Sequence, residues 1–212
     1  MQLQVPLRPR RPRRRRTPAV ARGLRARHQN HLRCLDFLKD KTRDGRTLRF
    51  LSVVDEHTRL CMALEVSTRF PAVAVVAVLA RLVAIHGRSL FVRSDNGPEF
   101  IAHEVARWAR EAGVTLVRSA PASPRQNPFA ETFHSRLRDE LVEQEDFGIL
   151  AGARVLAEAY RLWYNNERPH SSLGYQTPAE FLVRGGCNCM TLTTCGTEKP
   201  GQAHPTGRCA HV

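Results

Sequence analysis

Residues 34–66 read CLDFLKDKTRDGRTLRFLSVVDEHTRLCMALEV, and the fold turns on this stretch. Residues 34–39 form a short strand-like run. Residues 40–47 form a turn built around Asp44-Gly45, a pair that favours a tight hairpin. Two further β-rich runs, 48–55 and 59–66, are separated by Glu56-His57-Thr58. The spacing predicts three consecutive antiparallel strands. One residue breaks the apolar pattern: Asp36 stands inside the first strand, between Leu35 and Phe37. Burying a charge there is costly unless it is paired or bound to a cation.

Reading outward, residues 71–86 have helical length and apolar content, and Gly87 follows as a C-cap. Residues 89–93 return to strand. Residues 98–112 predict a helix with Pro98 in its first turn and Gly113 at its end. Residues 114–118 predict a last strand. After a polar loop at 121–126, Asn127 suits an N-cap and Pro128 the first helical position, and residues 121–183 read as mostly helical. The order β-β-β-α-β-α-β-α predicts an α/β protein with a mixed five-stranded sheet flanked by helices and a helical C-terminal extension. That is the element order of the ribonuclease H-like fold. Three regions are expected: an arginine-rich disordered arm over 1–30, a core over 31–183, and a disordered tail over 184–212.

Charge separates the arm from the core. The chain carries 33 Lys and Arg against 20 Asp and Glu, for a net charge of +13. Residues 1–33 hold eleven arginines and no acid, so the remainder is nearly balanced. A block such as Arg13-Arg14-Arg15-Arg16 neutralises phosphates and displaces counterions without reading sequence. The bland alternative is an arm that only aids solubility. A targeting presequence is disfavoured, because prolines interrupt the run and prevent an amphipathic helix. No apolar stretch approaches the ~20 residues needed to span a bilayer, and no signal peptide is evident, so a soluble protein of a reducing cytosol is expected. Cys34 and Cys61 lie in predicted strands, where a free thiol packs as a small hydrophobe. Cys187, Cys189, Cys195 and Cys209 fall in the tail with no standard zinc-ligand spacing.

The acids then fall at telling places. Asp95 comes directly after a strand and before a helix, where sites form in open α/β sheets. Glu131 lies just past the first turn of the helix that opens at Pro128. Arg138, seven residues on, sits about 20° from Glu131 around that helix, and His134 and Ser135 lie on nearly the same face. Three carboxylates gathered by a sheet and a helix can hold two hard divalent ions, Mg²⁺ or Mn²⁺, through oxygen ligands. Taken singly, Asp95 also reads as a turn former and Glu131 as an ordinary surface charge.

Asp36, Asp95 and Glu131, with 35 residues between the second and third, resemble the D,D(35)E signature of retroviral integrases and bacterial insertion-sequence transposases. Around them, Arg93-Ser94-Asp95-Asn96-Gly97-Pro98-Glu99-Phe100 is similar to the second-aspartate block. Gln126-Asn127, Glu131 and Arg138 resemble the glutamate block. The run from Trp163 to Tyr175 (WYNNERPHSSLGY), followed by Thr177-Pro178, resembles the segment that closes these transposases. The similarity covers about 31–181.

The resemblance implies metal-dependent cleavage of element ends, followed by attack of the freed 3′-OH on another DNA phosphate. It implies metal binding by Asp36, Asp95 and Glu131, DNA contact by Arg138 and a loop shaped by Asn96 and Gly97. Arg168 and His170 are candidates for DNA contact, while Trp163, Tyr164, Leu173 and Tyr175 are expected to pack. Three positions differ from the family pattern: Arg33 stands where a tryptophan is common, Pro128 where Gly or Ala is usual, and the arm where a helix-turn-helix region is found. The expected partners are DNA, further copies of the chain and a separate helix-turn-helix protein. The alternatives are an inactive, truncated remnant that only binds DNA, and a stand-alone nuclease without joining activity.

Overall fold

The computed structural model describes residues 24–95, 97–118 and 128–185. Arg13, Arg14, Arg15, Arg16, Asn96, Asn127 and the tail cysteines lie outside the described residues. The three-stranded meander is present: β1 (Leu32–Lys41), β2 (Thr47–Asp55) and β3 (Cys61–Ser67) pair antiparallel in sequence. Gly45 takes the positive φ, 81°, that the first hairpin needs. At the second turn Asp55, almost fully buried, accepts the N–H groups of His57 and Thr58 and the Thr58 hydroxyl. That aspartate closes the β2–β3 connection with its own side chain.

The chain then crosses through α1 (Ala72–His86) to β4 (Phe91–Ser94), and through α2 (Pro98–Ile101) and α3 (His103–Glu111) to β5 (Thr115–Arg118). Both new strands run parallel to β1, giving the order β3-β2-β1-β4-β5. The helix expected over 98–112 is two helices, broken at Ala102, whose ψ is 147°. Phe100 and Val105 are both buried, yet five residues apart they would diverge by roughly 140° on one continuous helix. The break lets both face inward.

Even-numbered positions of β1 and β2, among them Leu38, Leu48, Phe50 and Val54, join Phe133, Leu137, Ala157, Tyr160 and Tyr164 in one apolar cluster. Those helical residues belong to α4 (Pro128–Leu137) and α5 (Leu150–Asn166). Odd-numbered positions Leu35, Leu51 and Val53 join Val75, Leu79, Leu82 and Phe100 in the other. The two-residue period of a strand thus divides the molecule into layers, with helices on both faces. A single π turn (Arg138–Val142) extends α4, and the short α6 (Pro178–Val183) ends the described chain with a capping box between Thr177 and Glu180.

Residues 24–30, which the sequence reading assigns to the arm, are tied to this core. The Arg93 guanidinium donates to the Leu24 carbonyl, and Ala26 N–H donates to Glu56 Oε1 at 2.9 Å. Arg93 and Glu56 form a buried ion pair at 2.8 Å. Cys34 and Cys61 are buried free thiols, and burial pushes both of them up. They pack as the small hydrophobes expected.

Candidate active site

Asp36 sits mid-strand on the face covered by α4. It pairs in register with Ser52 of β2. On its other side β1 runs parallel to β4, with Leu32 beside Phe91, Arg33 beside Val92 and Cys34 beside Arg93. Continuing that register by two residues sets Asp36 level with Asp95, just beyond the C-terminal end of β4. Asp95 thus follows the strand next to the one that carries Asp36.

The third acid arrives from above. In α4 the buried positions Ala130, Phe133, His134 and Leu137 recur at the spacing of one helical face. That face seats the helix on β1 and β2 and leaves Glu131 at its margin. Although Glu131 reaches solvent, its carboxyl is raised above the usual range, first by partial loss of water and then by the charge of Asp36. Two acids that repel each other this way form an oxygen-donor pair suited to a hard cation.

Asp95 is differently engaged. Its Oδ1 accepts the Gly97 N–H at 2.9 Å, closing a tight turn at the start of α2. A Cβ on Gly97 would lie 3.0 Å from that oxygen and 3.1 Å from Glu99 Oε2. A larger residue at 97 would therefore make the Asp95 and Glu99 carboxylates give way by a few tenths of an ångström. Among the described residues, no three His, Cys, Asp or Glu side chains stand close enough to enclose a metal ion by themselves. Asp36 and Glu131 are brought together, while the Asp95 carboxylate is held on its own turn one strand away.

His134 joins the site without having been singled out as a site residue. Its Nδ1 lies 3.3 Å from Asp36 Oδ2, and its Nε2 shares a 2.7 Å hydrogen bond with Ser52 Oγ. Its placement three residues after Glu131 is the only sequence signal that could have found it. Arg138, at the start of the π turn, is exposed and shares the outer surface of the same helix.

The closing segment is occupied within the fold. The Arg168 guanidinium grips both oxygens of Glu140, at 2.7 and 3.0 Å, and Tyr160 Oη donates to the same carboxylate. His170 is buried against the Tyr164 ring, and burial, with the charges of Arg168 and Arg59, pushes it down to about 4. Tyr164 and Leu173 pack inside as expected, whereas Trp163 is part-exposed and Tyr175 is mostly exposed. Tyr175 adopts a positive φ at the turn after Gly174.

Comparison with known proteins bears on the family of the domain as a whole. One integrase core domain model matches residues 26–124 and a second integrase core domain model matches 112–178. The chain is 36% identical over 155 residues to a 31.7 kDa protein of insertion element IS407 from Burkholderia multivorans, covering 73% of this chain and 56% of that protein. Transposase InsD of the Escherichia coli IS2 elements is 36% identical over 103 residues, 48% of this chain and 34% of that one. The chain spans about half the length of the first of these curated relatives and a smaller share of the second.

Among solved structures, the simian T-cell lymphotropic virus intasome in complex with a PP2A regulatory subunit contains a chain that superposes with a TM-score of 0.63 at 17% identity. The overlap covers 86% of this chain and 63% of that one. The HTLV-2 integrase catalytic core in complex with magnesium gives 0.56 at 15%, covering 73% and 97%. At such identities the likeness is one of fold, the ribonuclease H-like fold of integrase cores. The two integrase core models, which together span 26–178, show that this chain belongs to the integrase core domain family, and its similarity to the insertion-element proteins sets it beside the bacterial insertion-sequence transposases.

Proposed function

We propose that this chain is the catalytic core of a transposase that cuts DNA at element ends and joins the freed 3′-OH to a new phosphodiester. The supporting observation is the pair of acids whose charges interact where α4 crosses the sheet, Asp36 from β1 and Glu131 from α4, with Asp95 following directly on the neighbouring strand β4. An Mg²⁺ or Mn²⁺ ion held by these carboxylates, or two such ions, would supply Lewis-acid stabilisation of the phosphate and a more acidic attacking oxygen. A solved relative by fold, the HTLV-2 core, is described as a complex with magnesium, which favours this choice of ion.

The chain's own residues do the rest. Asp36 is held by β1, which pairs with β2 through Asp36 and beyond and with β4 as far as Cys34. Glu131 is carried by a helix anchored through Phe133 and Leu137. To join them, Asp95 must release the Gly97 N–H, a rotation within a solvent-facing turn. Arg138, exposed where α4 passes into the π turn, meets a DNA phosphate. Arg13, Arg14, Arg15 and Arg16 provide further phosphate contacts, Asn96 shapes the loop beside Asp95, and Arg168 and His170 act by supporting α5 rather than by touching DNA. The active form is a multimer of this chain on DNA, in the bacterial cytosol, working with a separate helix-turn-helix protein for end recognition. No described helix is long and apolar enough to cross a membrane.

The test is strand cleavage and joining on labelled duplexes carrying the element ends, in Mg²⁺ or Mn²⁺. The parent chain is expected to nick and join, and Asp95→Asn to do neither while binding DNA equally well. Nicking that persists in Asp95→Asn would overturn the assignment.

A further inference from the structure

We infer that His134 is a positioning residue, the spacer that fixes the Asp36 carboxylate relative to Glu131. The inference rests on the reading of those two acids as cation ligands. His134 is 9% exposed and adjoins an otherwise apolar cluster, a setting that disfavours a ring with two polar nitrogens unless both are engaged. Both are. Nε2 is bonded to the hydroxyl of Ser52 at 2.7 Å, and Ser52 is itself fully buried on the strand that pairs with Asp36. Nδ1 lies 3.3 Å from Asp36 Oδ2.

The ring is therefore braced on β2, abuts the carboxylate of β1, and grows from the helical turn that follows Glu131. Ser52 Oγ in turn donates to the Asp36 main-chain carbonyl at 3.4 Å, so one hydroxyl ties the ring to the strand that carries the aspartate. The other Asp36 oxygen accepts the Phe37 N–H at 2.8 Å. Oδ1 is thus oriented by the backbone and Oδ2 is abutted by the ring, and each keeps further acceptor capacity for a cation. The His134 ring also keeps α4 from settling closer to β1, which sets the gap between Asp36 and Glu131. A neighbour that orients a metal-binding carboxylate typically changes cation affinity about 10–100-fold when removed.

The test uses the full chain with Mn²⁺ as probe, free Mn²⁺ being counted by electron paramagnetic resonance and melting followed separately without metal. His134→Leu is expected to weaken Mn²⁺ binding at least ~10-fold. His134→Asn, whose amide nitrogen replaces Nδ1 but cannot reach Ser52, is expected to recover most of that loss while melting no higher than the Leu variant. Ser52→Ala, which frees the ring, falls between. Equal Mn²⁺ affinity in parent and His134→Leu, or affinities that simply follow the melting temperatures, would overturn the positioning role. Asp36→Asn and Glu131→Gln separate the two levels. If both abolish Mn²⁺ binding and His134→Leu does not, only the positioning role fails. If both leave binding untouched, the carboxylate reading fails and the role of His134 with it.

Discussion

Arg33 shows how a single residue can depart from the family pattern and still be built in. Its side chain is 1% exposed and donates from one Nη to Asn30 Oδ1 at 2.8 Å and to the Gly87 carbonyl at 2.7 Å. It thereby caps the C-terminal end of α1, where a cation suits the helix dipole, while its Nε finds no partner. Burial lowers its proton affinity. Truncation to Ala leaves a cavity and two unsatisfied acceptors, so Arg33→Ala is expected to lower the urea-derived unfolding free energy by about 3 kcal/mol. An unchanged midpoint would show that the guanidinium contributes nothing net. His170 makes a second prediction at this scale. Its native value of about 4 lies below the ordinary ~6.5, so between these the unfolded chain takes up a proton that the native ring refuses. Stability is therefore lost as pH falls from about 6.5 towards 4, with no such loss above 6.5. His170→Gln is expected to show a shallower decline across that window in denaturation curves; an identical slope would contradict the assignment.

At the scale of elements, the π turn after α4 and the helix α5 are locked by Glu140, which receives Arg168 and Tyr160 together. Both charged side chains are mostly buried, at 17% and 24% exposure, so the pair belongs between the surface and interior regimes. A double-mutant cycle on Glu140→Gln and Arg168→Gln is expected to give a coupling of about 1–2 kcal/mol in unfolding free energy. Additive effects would show the two side chains to be independent. The turn from β4 into α2 gives another test. Gly97→Ala places a Cβ against Asp95, and is expected to cut strand cleavage by roughly 10²-fold with only a small loss of stability. Unaltered cleavage would mean that the turn does not set Asp95. These features mark where sequence reading stops. Asp-Gly turns, strand alternation and proline-led helix starts are local signals, so element order was readable. The break at Ala102 arises because Phe100 and Val105 both need the core, and Glu140 meets Arg168 across 28 residues; neither leaves a local trace. Asp36 was readable because a charge inside an apolar strand conflicts with its neighbours. His134 was not, since an isolated histidine on a helix carries no comparable signal.

Across the whole molecule, charge is divided between a near-neutral core and an arginine-dense N-terminal segment. The described root of that segment, Leu24 to Ala26, is fastened to Arg93, on the strand that leads to Asp95, and to Glu56, just after β2. Replacing Arg13, Arg14, Arg15 and Arg16 by Ala in the full chain is expected to flatten the plot of log binding constant against log salt by about 3–4 units of slope on duplex DNA. A slope unchanged by the four substitutions would show that the arm makes no phosphate contacts. The central claim, however, concerns the core: three acids distant in sequence close around a divalent cation. It is tested most directly by growing crystals of the chain with Mn²⁺ and mapping the metal by its anomalous scattering. The account predicts a peak bounded by Asp36, Asp95 and Glu131 at roughly 2.0–2.3 Å from their oxygens, with the Asp95 carboxylate released from Gly97. A peak elsewhere, or an Asp95 that stays on its turn with Mn²⁺ bound only at other carboxylates, would contradict it.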